Sequence, residues 1–131
     1  MIGLDTSAII DIFKGNQNIK NILEQNKEPL VATIMSYLEL FFGLNPDNPQ
    51  HTTEGKYYDE FFKNILNLDL NNDSCREASK IFWNLKNQGK EIDQFDCVIA
   101  AILITNGIKK IITRNPKHFE KINQLSVISY Q

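Results

Sequence analysis

Met1-Ile-Gly-Leu-Asp-Thr-Ser-Ala-Ile-Ile-Asp-Ile-Phe13 opens the chain, and its reading decides the fold. Ile2-Gly3-Leu4 is a short apolar run suited to a buried strand, and it ends at Asp5. Thr6 or Ser7 can cap a helix that begins at Ala8, runs to about Phe13 and stops near Gly15. A strand that passes through a polar junction straight into a helix is the first half of a β-α unit.

The rest of the chain repeats that unit. Asn16 or Asn18 opens a second helix with Ile19, Ile22 and Leu23 on one face. Pro29 to Ala32 reads as a second strand, and Thr33 is placed to cap a helix running to about Gly43. Asn45 to Gly55, with two prolines, two asparagines, His51 and two threonines, reads as a loop. A helix is expected from about Lys56 to Ile65, with Tyr57, Tyr58, Phe61 and Phe62 forming a broad aromatic stripe. That stripe suits either the core or a groove for a partner helix or a second copy of the chain. Leu66 to Leu70 reads as a third strand, and Asn72 or Asp73 caps a long helix that ends before Gly89. Asp93 caps another, through about Thr105, ended by Asn106-Gly107. Ile108 to Thr113 holds a fourth strand, Pro116 to Lys121 a short helical turn, and Val127-Ile128 a last strand. The pattern β-α-α-β-α-α-β-α-α-β-α-β predicts an α/β fold with a parallel sheet of four or five strands and helices on both faces. A single domain over residues 1–131 is expected from the length.

Composition narrows the class. With 42% hydrophobic and 23% charged residues, the chain is ordinary for a globular protein. Asp5 and Asp11 interrupt the apolar start, so it does not read as a signal peptide, and Val98 to Ile104 is far shorter than the roughly 20 residues of a membrane span. Cys75 and Cys97 lie far apart in helical segments, which favours reduced thiols and a cytoplasmic location. A net charge of −2 argues against a protein coated in positive charge. Locally, though, Lys109, Lys110, Arg114, Lys117 and Lys121 face only Glu120, which leaves room for a basic patch.

In a parallel sheet, ligands collect beyond the carboxyl ends of the strands, where strand order reverses. Asp5 stands at such an end. Glu39 lies in the apolar Ile34-Met-Ser-Tyr-Leu-Glu-Leu-Phe-Phe-Gly43, and Asp96 in the apolar Phe95-Asp-Cys-Val-Ile-Ala-Ala-Ile102. A carboxylate among apolar neighbours is costly to bury without a counter-charge, and no lysine or arginine lies within a helical turn of either. A divalent cation shared by converging acids is one solution, and oxygen-rich sites suit Mg²⁺ or Mn²⁺. Each acid also has a plainer reading: Asp5 as an N-cap, Glu39 on a solvent face, Asp96 in a first helical turn favoured by the dipole. Asp93 reads as an N-cap, and Asp11, Asp69 and Asp73 as surface or capping residues.

Taken together, four blocks resemble the PIN-domain family. Leu4 to Phe13 is similar to its opening, Ile34 to Gly43 to its second block, Ile92 to Ala101 to its third, and Ile112-Thr-Arg-Asn-Pro-Lys-His-Phe119 to its fourth. They come in the family's order and span nearly the whole chain. The compact members are largely VapC-like toxins of toxin–antitoxin pairs. The resemblance implies a three-layer α/β/α fold with strand order 3-2-1-4-5. It further implies a Mg²⁺- or Mn²⁺-dependent endoribonuclease with Asp5, Glu39 and Asp96 as catalytic metal ligands, a cognate antitoxin and a homodimer. Thr6, Thr113 and Asn115 would position waters or phosphate oxygens, and Arg114 and Lys117 would contact the RNA backbone. Asn115 stands where many members carry a fourth acid, which favours one metal ion over two. His118 reads as a surface or packing residue rather than a general base. Rival readings are a housekeeping RNA-processing nuclease, a catalytically silent binding module and a phospho-acceptor domain. The last fits poorly, because no lysine ends the final strand. A zinc site is not expected, since the histidines and cysteines lack ligand spacing.

Overall fold

A computed structural model describes residues Met1–Gln131 and carries twelve elements in the predicted sequence. They are β1 (Ile2–Leu4), α1 (Thr6–Phe13), α2 (Gln17–Gln25), β2 (Leu30–Thr33), α3 (Ile34–Phe42) and α4 (Pro49–Lys63). After these come β3 (Leu66–Leu68), α5 (Asn72–Asn87), α6 (Gln94–Thr105), β4 (Lys110–Thr113), α7 (Pro116–Phe119) and β5 (Ser126–Ser129). The five strands form one sheet in the order β3-β2-β1-β4-β5, and every pairing is parallel. Order reverses between β1 and β4, so the switch point lies beyond Leu4 and Thr113.

Alternation along the strands builds two cores, because successive side chains leave a strand on opposite faces. Val31 and Ile111 join one cluster with Ile99, Ile102, Leu103 and Phe119, under α5, α6 and α7. Their neighbours Ala32 and Ile112 join the other, with Leu4, Ile9, Leu40 and Phe62, under α1 to α4. Burying each large aliphatic side chain contributes about 1.5–3 kcal/mol. Gly3 lets α6 sit directly on β1: a Cβ there would lie 2.5 Å from Leu103 Cδ1.

Several boundaries differ from expectation. The segment read as a loop to Gly55 is helical from Pro49 onward. Asn48 caps it through the Gln50 N–H, and Pro49 sits at the helix start, where its missing N–H costs nothing. Gly55 is buried inside that helix, facing Phe41. Asp5, not Thr6 or Ser7, caps α1, and Asn71 caps α5 through a reciprocal pair of bonds with Ser74. The aromatic stripe is largely consumed in packing. Phe62 is buried, Tyr58 and Phe61 stack edge-on against Phe13, and only Tyr57 stays well exposed. No helix is long and apolar enough to cross a membrane, and both cysteines are free.

Candidate active site

Asp5 is 3% exposed and held by three donors. Its Oδ1 accepts from the Thr6 N–H at 2.7 Å. Its Oδ2 accepts from Ser7 Oγ at 2.8 Å and from Thr113 Oγ1 at 2.7 Å, which ties β1 to the end of β4 across the switch point. The capping role and a place in the site are therefore not alternatives, since one carboxylate serves both.

Glu39 arrives from α3. Thr6 Oγ1 lies 2.8 Å from Glu39 Oε1, donating, and 2.8 Å from Ser36 Oγ, one helical turn before Glu39. Burial raises the Glu39 pKa and the charges of Asp5, Asp96 and Asp93 add to it, against the lowering effect of the Thr6 bond. Asp96 arrives from α6, whose N-cap is Asp93 as expected. Its carboxyl is pushed up to about 6, first by burial and then by the charge of Asp5, while the hydrogen bond from His118 opposes the rise. His118 Nδ1 sits 2.7 Å from Asp96 Oδ2. His118 is exposed, as expected of a surface residue, but it also turns to the acid, while Phe119 is the fully buried packing residue of α7.

Two further corrections concern charge. Asp11 is not a surface residue. It is 1% exposed, with Oδ1 accepting from Arg114 Nη1 at 2.8 Å and Oδ2 from the Tyr130 hydroxyl at 2.6 Å. Burial and the neighbouring Asp11 carboxylate raise the Tyr130 pKa well above its ordinary value. Arg114 is therefore already engaged, and its backbone N–H donates to Ser7 Oγ at 3.1 Å. Nor is the C-terminal basic run one patch. Lys110 pairs with Glu28 at the far end of β4, and Lys117 is exposed on α7. Asn115 is exposed at the start of α7. Its side chain makes no capping bond, and its backbone N–H donates to Thr113 Oγ1 at 2.9 Å.

Asp5, Thr6, Glu39 and Thr113 are thus joined by direct hydrogen bonds, while Asp96 is coupled to Asp5 and Glu39 through its charge. No three His, Cys, Asp or Glu side chains form a ready-made metal cage. The donor set nonetheless suits Mg²⁺ or Mn²⁺, since such ions keep several waters and need only one or two direct carboxylates. Sequence reasoning missed Ser7, Ser36, Asp11 and Tyr130. Ser36 was within reach of periodicity, three residues before Glu39 on the same helical face, but Tyr130 carried no local signal.

The PIN domain profile matches residues 2–125, and the chain belongs to that family. Among solved structures it is similar to a chain of VapBC-1 from nontypeable Haemophilus influenzae, with 27% identity, TM-score 0.82 and 98% of both chains covered. Likeness of fold extends to a toxin–antitoxin complex from Klebsiella pneumoniae, at 19% identity and TM-score 0.77, covering 98% of this chain and 97% of that one. It extends also to VapC20 of Mycobacterium tuberculosis, described as a sarcin–ricin loop cleaving toxin, at 14% identity and TM-score 0.64, covering 85% and 87%. No curated protein sequence matches.

Proposed function

We propose that this PIN-domain protein is a metal-dependent endoribonuclease and the VapC-like toxin of a toxin–antitoxin pair, acting in the cytoplasm. The observation that carries the reading is electrostatic. Glu39 and Asp96 meet Asp5 at the switch point with raised pKa values, and no lysine or arginine forms an ion pair with any of the three. Such a set is stabilised by a cation from outside the chain.

Asp5 and Asp96 would hold that cation, with Glu39 as a further ligand or as the group that orients water. A bound Mg²⁺ or Mn²⁺ supplies polarisation of the phosphodiester and an ionised water near neutral pH. Ser7 and Thr113 fix the Asp5 rotamer, Thr6 fixes Glu39, and His118 fixes Asp96. Asn115, whose backbone N–H donates to Thr113 Oγ1, would offer an uncharged oxygen where a fourth acid would add charge, in keeping with one ion rather than two. Lys117 offers its ammonium to the RNA backbone, and Arg114 its exposed portion, contacts that add affinity without sequence selection. The solved relatives named as toxin–antitoxin or VapBC assemblies support a cognate antitoxin, and a homodimer is proposed beside it. Leu38, Phe42 and Phe95 are the exposed apolar residues near the acids available for such contacts.

The test is RNA cleavage by the purified chain, free of any antitoxin, with and without Mn²⁺, beside Asp5→Asn. Metal-dependent cleavage lost in the variant is expected. Activity that persists in excess EDTA, or in Asp5→Asn, overturns the mechanism.

A further inference from the structure

A groove of about 550 Å³ lies between α5 and the segment from α7 to β5, and of its lining residues the proposed reaction uses only Lys117. Lys80 of α5, Lys90 just after it, Lys117 of α7 and Lys121 beyond α7 line it, against Glu77 and Glu120. Four positive charges against two negative give the groove a net charge of +2, in a protein whose net charge is −2. None of the four lysines forms a salt bridge. An unpaired cluster of like charges is disfavoured by mutual repulsion and attracts a polyanion.

Helix α7 is the shared wall. Lys117 lines the groove while the next residue, His118, hydrogen-bonds the catalytic Asp96. One residue of α7 thus borders the groove and the next reaches the acids, so the two lie beside each other across that helix. Only three of its thirteen lining residues are hydrophobic, and the rest of its lining is carboxylate, ammonium and side-chain amide. An apolar helix would find little to bury there, whereas a sugar–phosphate backbone finds ammonium and amide groups.

We propose that this groove carries the single-stranded RNA that flanks the cleaved bond, with Lys80, Lys90, Lys117 and Lys121 neutralising its phosphates. The inference rests on the nuclease reading for the identity of the substrate. Two of these lysines come from around α5, distant in sequence from the C-terminal basic run, and meet Lys117 and Lys121 only because the fold sets both segments along one groove.

Binding of a fluorescent single-stranded RNA oligonucleotide tests the groove without requiring cleavage. Anisotropy is measured across a salt series for Asp5→Asn and for Asp5→Asn carrying Lys80→Gln, Lys90→Gln and Lys121→Gln. All three lysines are exposed, so an unchanged thermal melt is expected. The slope of log K against log salt should become shallower by about 2, at about 0.7 for each lost phosphate contact, and affinity at low salt should fall at least about tenfold. An unchanged slope overturns the proposal. So does an unchanged RNA slope accompanied by lost binding of poly-L-glutamate, which would mark an acidic-protein docking face. Cleavage by the unsubstituted chain with Mn²⁺ reads the nuclease function separately. If cleavage is present and the slope unchanged, the groove alone fails. If cleavage is absent and the slope shallower, the groove stands as an RNA-binding surface and the nuclease reading falls.

Discussion

Asp11 and Asp96 are two acids on helices around the same sheet, and their environments differ in kind. At the corner of α1, β4 and β5, Asp11 meets the Arg114 guanidinium and the Tyr130 hydroxyl. Its charge is balanced within the chain. At the rim of α6 and α7, Asp96 has the His118 ring, while burial and the charge of Asp5 push its carboxyl to about 6. One acid is structural because its partner is built in. The other has no lysine or arginine partner within the chain, the deficit that the proposed metal cation would fill.

The largest test of that contrast is catalytic. Asp5→Asn or Asp96→Asn should cut Mn²⁺-dependent RNA cleavage by about a thousandfold, equivalent to about 4 kcal/mol, while circular dichroism shows the fold intact. Arg114→Ala attacks the other acid. It leaves the Asp11 carboxylate buried with only Tyr130, and should cost about 2–3 kcal/mol in urea denaturation, less than a fully buried pair because Arg114 is 45% exposed. A loss below about 0.5 kcal/mol would mean that Asp11 is as poised as Asp96.

Acidity sharpens the comparison next. Mn²⁺ and a proton compete for Asp96, so metal affinity measured by titration calorimetry should be flat above pH about 6 and fall up to tenfold per unit below it. The sign for stability is opposite. Between the ordinary value of 3.8 and about 6 the folded chain binds the Asp96 proton more tightly than the unfolded chain. This contribution is therefore present below about pH 4 and lost as pH rises through 6. In EDTA at neutral pH, Asp96→Asn should accordingly stabilise the protein, by about 1 kcal/mol after allowance for solvent screening, with a higher Tm. A lower Tm would show that the charged form is already satisfied. The smallest effect belongs to Asn115→Asp, which should tighten Mn²⁺ binding several-fold if that side chain faces the ion. An unchanged titration removes it from the site.

Much of this was legible in the sequence. Short apolar runs ending in polar residues announced the strands, and Asp5, Glu39 and Asp96 were marked by their apolar company. What misled was local composition read without packing. Asn45 to Gly55 has the residues of a loop, yet Asn48 and Pro49 start a helix, and Gly55 is tolerated inside it where it faces Phe41. Asp11 resembled any acid on a short helix, because Arg114 and Tyr130 lie more than 100 residues away and no spacing connects them.

By itself, then, the sequence determined the alternation of strands and helices and the acids that end or interrupt apolar runs, since periodicity and the cost of burying charge act within a few residues. The tertiary structure alone decided which acids meet a lysine or arginine of the chain and which do not. Asp11 took Arg114 and Tyr130, Asp96 took His118, and Lys80 and Lys90 in and after α5 joined Lys117 and Lys121 in and after α7 along a single groove. Those pairings depend on where the parallel sheet brings distant segments together, and Coulomb attraction depends on distance in space, to which distance along the chain is no guide.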